Sequence, residues 1–127
     1  MPVVEVKFRP YRNSHQWESG NEVFSLLQTS LAGIIAEGLD VPGNNDARLT
    51  ANDIEVGFRF AGEFDTGSKN LEIVVLANDY HERAANLQSE RVPKMRQAIR
   101  ALLDKAGYKQ LTVSLYVHLG IGGYDEF

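Results

Sequence analysis

The chain has 127 residues, of which 43% are hydrophobic and 24% charged, and its net charge is −4. These values are typical of a globular protein and predict a single domain over residues 1–127. The acidic balance argues against nucleic-acid partners, and the lack of cysteine excludes disulfides and thiolate chemistry. Because no apolar run reaches the ~18 residues of a membrane span and no signal-like segment opens the chain, we expect a cytoplasmic protein.

The chain begins with a proline at the head of a predicted strand. Residues 3–9 alternate between apolar and mostly polar side chains, which is typical of a half-buried strand. If Met1 is removed, Pro2 offers a free secondary amine, and such amines titrate near ~7.7–8.0, or lower when buried. That amine could act as a general base at neutral pH. If Met1 stays, the Pro2 nitrogen is an amide without basicity, and proline simply suits the start of a strand.

The first helix is predicted over residues 20–37. Ser19 and Glu22 fit a capping box at its start, apolar residues recur every three or four positions, and Gly38 suits its end. A loop rich in proline, glycine and asparagine follows from Asp40 to Asn52.

Two strands are predicted after this loop. Residues 54–60 alternate as a second half-buried strand, whereas residues 71–77 are almost continuously apolar, as in a strand covered on both faces. We expect this third strand to lie centrally in the sheet or at a subunit contact. A turn from Phe64 to Ser68 separates the two.

A second helical segment and a last strand complete the pattern. The helix is predicted from about Glu82 to Ala106, and Pro93 predicts either a kink or a short turn before a helix that starts near Ser89. The kinked helix is favoured. Residues 110–118 alternate as the last strand. The order β-α-β-β-α-β predicts an α+β fold of two βαβ-type halves, with a four-stranded sheet and both helices on one face. The other face would be polar, covered by water or other subunits.

This order, the proline on the first strand and the glycine-rich ending together resemble the tautomerase superfamily. The stretch from His118 to Gly123, His-Leu-Gly-Ile-Gly-Gly, is similar to the His-Phe-Gly-Ile-Gly-Gly ending of 4-oxalocrotonate tautomerase subunits. In length and layout the chain looks closer to 5-carboxymethyl-2-hydroxymuconate isomerase-like members. The resemblance implies a homotrimer that acts as a cofactor-independent keto-enol tautomerase on a small 2-oxo or 2-hydroxy-dienoate acid, with Pro2 as base.

The resemblance also implies that arginines hold the substrate carboxylates. Arg12 matches the substrate-binding arginine of 4-oxalocrotonate tautomerase, and Arg83 falls near an arginine of the isomerase and decarboxylase branches. Glu55 stands where those families have an arginine early in the second strand, and Arg59 comes four positions later. A carboxylate at that place would repel an acidic substrate. We expect Glu55 to form an ion pair with Arg59 or Lys7 rather than to act as an acid or base.

Three functions remain open from the sequence. The first is the proton-transfer enzyme, whose partners would be a small carboxylate substrate and two further copies of the chain. The second is a catalytically silent tautomerase-like oligomer or ligand-binding protein. The third is a monomeric α+β regulatory domain of similar topology. The spacing of the histidines matches no metal motif, so no metal site is predicted.

Overall fold

The structure is a computed structural model that describes residues 2–10 and 16–120, with the backbone alone for residues 16–18. Within these ranges the strands and α-helices are β1 (Val3–Phe8), α1 (Gln16–Leu39), β2 (Glu55–Phe60), β3 (Leu71–Asn78), α2 (His81–Ala85), α3 (Val92–Lys105) and β4 (Val113–Gly120). The strands form one four-stranded sheet in the order β2-β1-β3-β4. The predicted β3 is therefore central.

The sheet consists of two parallel strand pairs, which are joined by one antiparallel contact. β1 runs parallel to β2 and β3 parallel to β4, while β1 and β3 are antiparallel. One face packs against α1 and α3, so the predicted α+β fold with its main helices on one face is confirmed. Fully burying each large aliphatic side chain contributes about 1.5–3 kcal/mol. The most deeply buried strand residues on that face are Val4, Val6, Phe8, Leu71, Ile73 and Val75.

Both ends of α1 differ from their predictions. The helix begins at Gln16, so Ser19 lies inside it and the predicted capping box is wrong. It also continues through Gly38, where an added Cβ would meet the side chain of Met95 in α3. Close packing of α1 against α3, rather than helix termination, therefore explains this glycine.

The second helical segment is interrupted rather than kinked. α2 ends at Ala85, and a π-helical segment, Leu87–Arg91, leads into α3. Pro93 lies in the first turn of α3, where the missing N–H of proline does not remove a hydrogen bond from the helix. The favoured prediction of one continuous kinked helix is therefore wrong.

The open face of the sheet carries a charged zone and an apolar zone. The charged zone includes Glu5, Lys7, Arg59 and Glu72. The apolar zone, which we name the sheet patch, consists of Val3, Val74, Leu76 and Tyr116, exposed by 41%, 37%, 49% and 59%. Strand pairing sets Val3 opposite Leu76 and Val74 opposite Tyr116, so the patch is continuous. The prediction of a wholly polar face is wrong, because β3 also presents aliphatic side chains there.

Candidate functional site

Pro2 is buried at the head of β1. Its carbonyl accepts a hydrogen bond of 3.1 Å from the N–H of Glu55, at the start of β2. The parallel pairing then continues with Val3 opposite Glu55. Pro2 is therefore fixed by both packing and a backbone hydrogen bond at the edge where β1 and β2 begin.

Glu55 is the acidic residue nearest to this edge along β2, and its side chain is exposed. The predicted ion pair of Glu55 with Arg59 or Lys7 is wrong. Residues four apart in one strand are separated by about 13 Å, and the described residues pair Lys7 with Glu72 instead, at 3.3 Å. Within the described part of the chain, the Glu55 carboxylate has no cationic partner.

Arg59 projects from the open face and is held by two carboxylates. Its Nε donates to Glu5 at 2.6 Å, and its Nη1 donates to Asp65 at 3.2 Å. The hydrogen bond to Glu5 is the main cause that raises the pKa of Arg59. The pKa of Asp65 is lowered mainly by the hydrogen bond from the backbone N–H of Gly62 and to a smaller extent by Arg59. In a single copy of the chain, Arg59 is therefore already paired.

Two shallow cavities flank the Glu5–Arg59 ion pair. One of about 330 Å³ is lined by residues 3–5 and 55–59. The other, about 290 Å³, shares Glu5 and Arg59 and extends to Tyr116 on β4. Small-molecule sites usually measure ~300–1,000 Å³. The ion pair therefore separates two depressions near the lower end of that range.

Arg83 is 2% exposed and lies inside the protein rather than on its surface. Its side-chain nitrogens donate to the backbone carbonyls of Leu39, Asn78 and Ala47 at 2.8, 3.2 and 3.2 Å. Burial lowers the pKa of Arg83. The residue thus ties the end of α1 to the end of β3. Its substrate-binding role stays a prediction, which the engagement of its donors does not favour.

Arg91 has a similar role that sequence analysis missed. Its Nη1 donates to the carbonyls of Gly38 and Asp40, both at 3.0 Å. Together with Arg83, it places positive charge at the C-terminal end of α1, where the helix dipole favours cations. One sequence signal was available, since the last turn of α1 has no basic residue of its own.

The predicted site residues are not all brought together in one copy. Arg83 lies at the Pro2 end of the sheet, because the register of Val3 with Leu76 sets Pro2 beside the end of β3, where Arg83 binds the Asn78 carbonyl. In the strand register Arg59 lies opposite Lys7, and Lys7 is roughly 16 Å along β1 from Pro2. Arg12 lies outside the described residues.

Among the side chains that the structure describes, in residues 2–10 and 19–120, no group of three His, Asp or Glu is placed to hold a metal ion. None of the helices in these ranges is long and apolar enough to cross a membrane.

Comparison with known proteins gives matches among solved structures. No family model and no curated protein matches the sequence. The structure of 5-carboxymethyl-2-hydroxymuconate delta-isomerase matches over 100% of this chain and 87% of its own, at 16% identity and a TM-score of 0.51. The chain shares the fold of this isomerase. The predicted resemblance to the tautomerase superfamily is thereby confirmed at the level of the fold.

Two further solved structures match at lower TM-scores. Malonate semialdehyde decarboxylase is 14% identical over 92% of this chain and 84% of its own, with a TM-score of 0.44. A domain of unknown function from Sebaldella termitidis is 19% identical over 95% of this chain and 90% of its own, also with a TM-score of 0.44.

Proposed function

We propose that the chain is a cofactor-independent keto-enol tautomerase or isomerase, with the Pro2 nitrogen as general base after loss of Met1. The observation that carries this proposal is the burial of Pro2 at the head of β1, in a fold shared with an isomerase. A free α-amino group titrates near ~7.7–8.0, and burial disfavours its protonated form. The ring nitrogen would then be largely neutral at physiological pH and able to take a proton.

The buried charge of Arg83 supports this role. Arg83 is 2% exposed and binds the end of β3 that lies beside Pro2. A cation in a poorly solvated environment disfavours a second positive charge nearby and would lower the pKa of the amine. In this proposal Arg83 acts through its charge, since its nitrogens are hydrogen-bonded to backbone carbonyls.

The proposed substrate is a small 2-oxo or 2-hydroxy-dienoate acid. Pro2 would remove a proton from a carbon or enol oxygen of the substrate, the negative charge would spread onto the carbonyl oxygen, and protonated Pro2 would return the proton to another carbon. Guanidinium groups suit both the carboxylate and the developing oxyanion. We assign these contacts to Arg12 and Arg59. Because Arg59 lies roughly 16 Å along the strand from Pro2 of its own chain, it would come from a neighbouring copy.

The proposed assembly is a homotrimer that covers the open face of the sheet. The sheet patch leaves four apolar side chains between 37% and 59% exposed. Contiguous apolar patches of this kind mark protein contacts when they are rimmed by polar groups. Assembly would also bring Arg59 of one copy towards the Pro2 edge of the next.

A catalytically silent oligomer or ligand-binding protein is the second candidate. The exposed carboxylate of Glu55 next to Pro2 favours it, because a negative charge there opposes binding of an acid. The pairing of Arg59 with Glu5 and Asp65 favours it as well. The two candidates differ in whether the Pro2 nitrogen is free and turns over substrate.

Two measurements test the enzyme proposal. The intact mass of natively produced protein should lack Met1. Turnover of phenylenolpyruvate or 2-hydroxymuconate should fall in Pro2→Ala, because a mobile primary amine replaces the fixed ring nitrogen. It should fall about 100-fold or more when the N-terminal amine is blocked by acetylation and the general base is lost. Pro10→Ala is the matched control, since Pro10 lies after β1, and should retain activity. Retention of Met1, or unchanged turnover after the N-terminal amine is blocked, would exclude Pro2 as the base and leave the second candidate.

A further inference from the structure

A separate groove lies between α3 and β4. Its volume is about 400 Å³, larger than either cavity beside Arg59 and within the ~300–1,000 Å³ typical of small-molecule sites. It is on the helix side of β4, because Val113 and Leu115 line it whereas Tyr116 points to the open face. The groove is therefore distinct from the sheet patch and from the surroundings of Pro2.

The floor of the groove is apolar and built from two regular elements. Val92 and Ile99 lie seven positions apart on one stripe of α3, and Val113 and Leu115 alternate on β4. Leu111 closes the end where the chain enters β4. Aliphatic side chains of this kind would favour the apolar part of a ligand through burial of its surface.

The rim of the groove is positively charged. Its charged lining residues are Lys69, Arg96 and Arg100, and none of the lining residues that the structure describes is acidic. Arg100 is fixed by Asp104 at 2.8 Å and by the carbonyls of Leu111 and Tyr108. Among the described residues, the side chains of Lys69 and Arg96 have no ion-pair partner and are exposed. Two cations without an ion-pair partner in the described part of the chain thus border one apolar groove, in a protein whose net charge is −4.

We infer that this groove is a binding site for a small carboxylate with an apolar body, such as an arylalkanoate. The aliphatic floor takes the hydrocarbon part, and Lys69 and Arg96 pair with the carboxylate at the rim. Arg100 is not part of this pairing, because its charge is balanced by Asp104 and its nitrogens are held by their own hydrogen bonds. Val113 lies opposite Leu71, and Leu71 lies opposite Phe8, so the groove is at the end of β1 that is remote from Pro2. Binding here therefore does not depend on the proposed catalysis.

An NMR titration of the ¹⁵N-labelled full chain with 4-phenylbutyrate tests this inference. The largest shifts should fall in residues 92–100 and 111–115. The uncharged analogue 4-phenyl-1-butanol should bind more weakly. Arg96→Gln and Lys69→Gln should each weaken binding about three-fold, the scale of an exposed ion pair, and the double variant about ten-fold. Folding is not at risk, because neither side chain forms a hydrogen bond within the described residues.

Two control variants test whether binding belongs to this groove. Lys105→Gln removes the same charge from an exposed position of α3 outside the groove, and Pro2→Ala replaces the ring nitrogen of the proposed base by a primary amine. Both should bind 4-phenylbutyrate as the unmodified chain does. Equal binding of the alcohol, an equal loss in Lys105→Gln, or a loss in Pro2→Ala would each overturn the assignment. Failure of the Pro2 assay alone would leave it standing.

Discussion

The Nε of Arg59 lies 2.6 Å from a carboxylate oxygen of Glu5, across the parallel pair of β1 and β2. This pair decides whether Arg59 is available to a substrate. An acid that enters the adjoining cavity competes with Glu5, and also with Asp65, for the charge of this guanidinium.

Glu5→Gln should therefore improve the binding of carboxylate substrates. Removal of the competing charge should lower KM roughly two- to five-fold, the scale of an exposed ion pair, with little change in kcat. Arg59→Gln should raise KM. Steady-state kinetics over a range of substrate concentrations measures both effects. Glu37→Gln, a similar change at an exposed position of α1, is the control, and an equal response there would show a general charge effect.

Arg83 is expected to stabilise the fold far more than an ordinary surface arginine. Arg83→Met should lower the free energy of unfolding by about 3 kcal/mol, because three carbonyl acceptors, two of them in buried hydrogen bonds, lose charged donors. Arg83→Lys should recover only part of this, since an ammonium group cannot reproduce the planar geometry. Urea denaturation measures the loss. Arg48→Met, at a side chain 55% exposed, should change little. A stable Arg83→Met variant with a raised KM would instead show that Arg83 binds substrate directly.

The sheet patch should control assembly. Leu76→Lys places a charge in the centre of an apolar surface that the proposed homotrimer buries, and an unpaired buried charge is unfavourable. Light scattering coupled to size-exclusion chromatography should show a shift from trimer to monomer. Phe64→Lys is the control, since Phe64 is 92% exposed in the loop between β2 and β3. A trimer that persists in Leu76→Lys would place the contact elsewhere, and a monomeric unmodified chain would remove the trimer altogether.

Two glycines of α1 should respond oppositely to alanine. At Gly20 an added Cβ would lie 2.9 Å from Cδ1 of Phe8 and closer still to Phe60, whereas at Gly33 nothing lies within 4 Å. Gly20→Ala should lower the free energy of unfolding by about 1–3 kcal/mol through overpacking. Gly33→Ala should raise it by about 0.5–1 kcal/mol, since alanine favours the helix. Thermal unfolding of both variants tests this, and equal signs would contradict the role assigned to packing.

Sequence periodicity was sufficient to locate the strands and the apolar stripes of the helices, but it did not predict the helix ends or the contacts of the charged residues. Alternation in residues 3–9 and 54–60 depends on which face is buried, and that is a local property. The partner of Arg59 depends instead on strand register. Parallel pairing puts Arg59 beside Lys7 and within reach of Glu5, while Glu55 is left opposite Val3.

Arg83 shows the same limit more strongly. Its position shortly after a strand matches a substrate-binding arginine by sequence, yet its bonds are to carbonyls that lie 36 and 44 residues away. No local sequence pattern predicts these bonds. They form because carbonyls near the end of α1 lack hydrogen-bond donors within the helix. The groove between α3 and β4 could likewise not be predicted from the sequence, since its cations are spread over a loop and a helix.

The Tyr108–Glu22 hydrogen bond predicts a loss of stability at alkaline pH. The Tyr108 hydroxyl donates to Glu22 at 2.7 Å. The pKa of Tyr108 is raised to about 12, mainly by burial and to a smaller extent by this hydrogen bond to Glu22. Because the folded chain keeps this proton more tightly than the unfolded chain, the stabilisation is complete below the ordinary tyrosine pKa of about 10 and is lost as the pH rises towards about 12. Urea midpoints of the unmodified chain and Tyr108→Phe should therefore converge between about pH 9 and about pH 12. Tyr116→Phe, on the open face, controls for loss of a hydroxyl, and a difference between the Tyr108 pair that stays constant with pH would contradict the role of this bond.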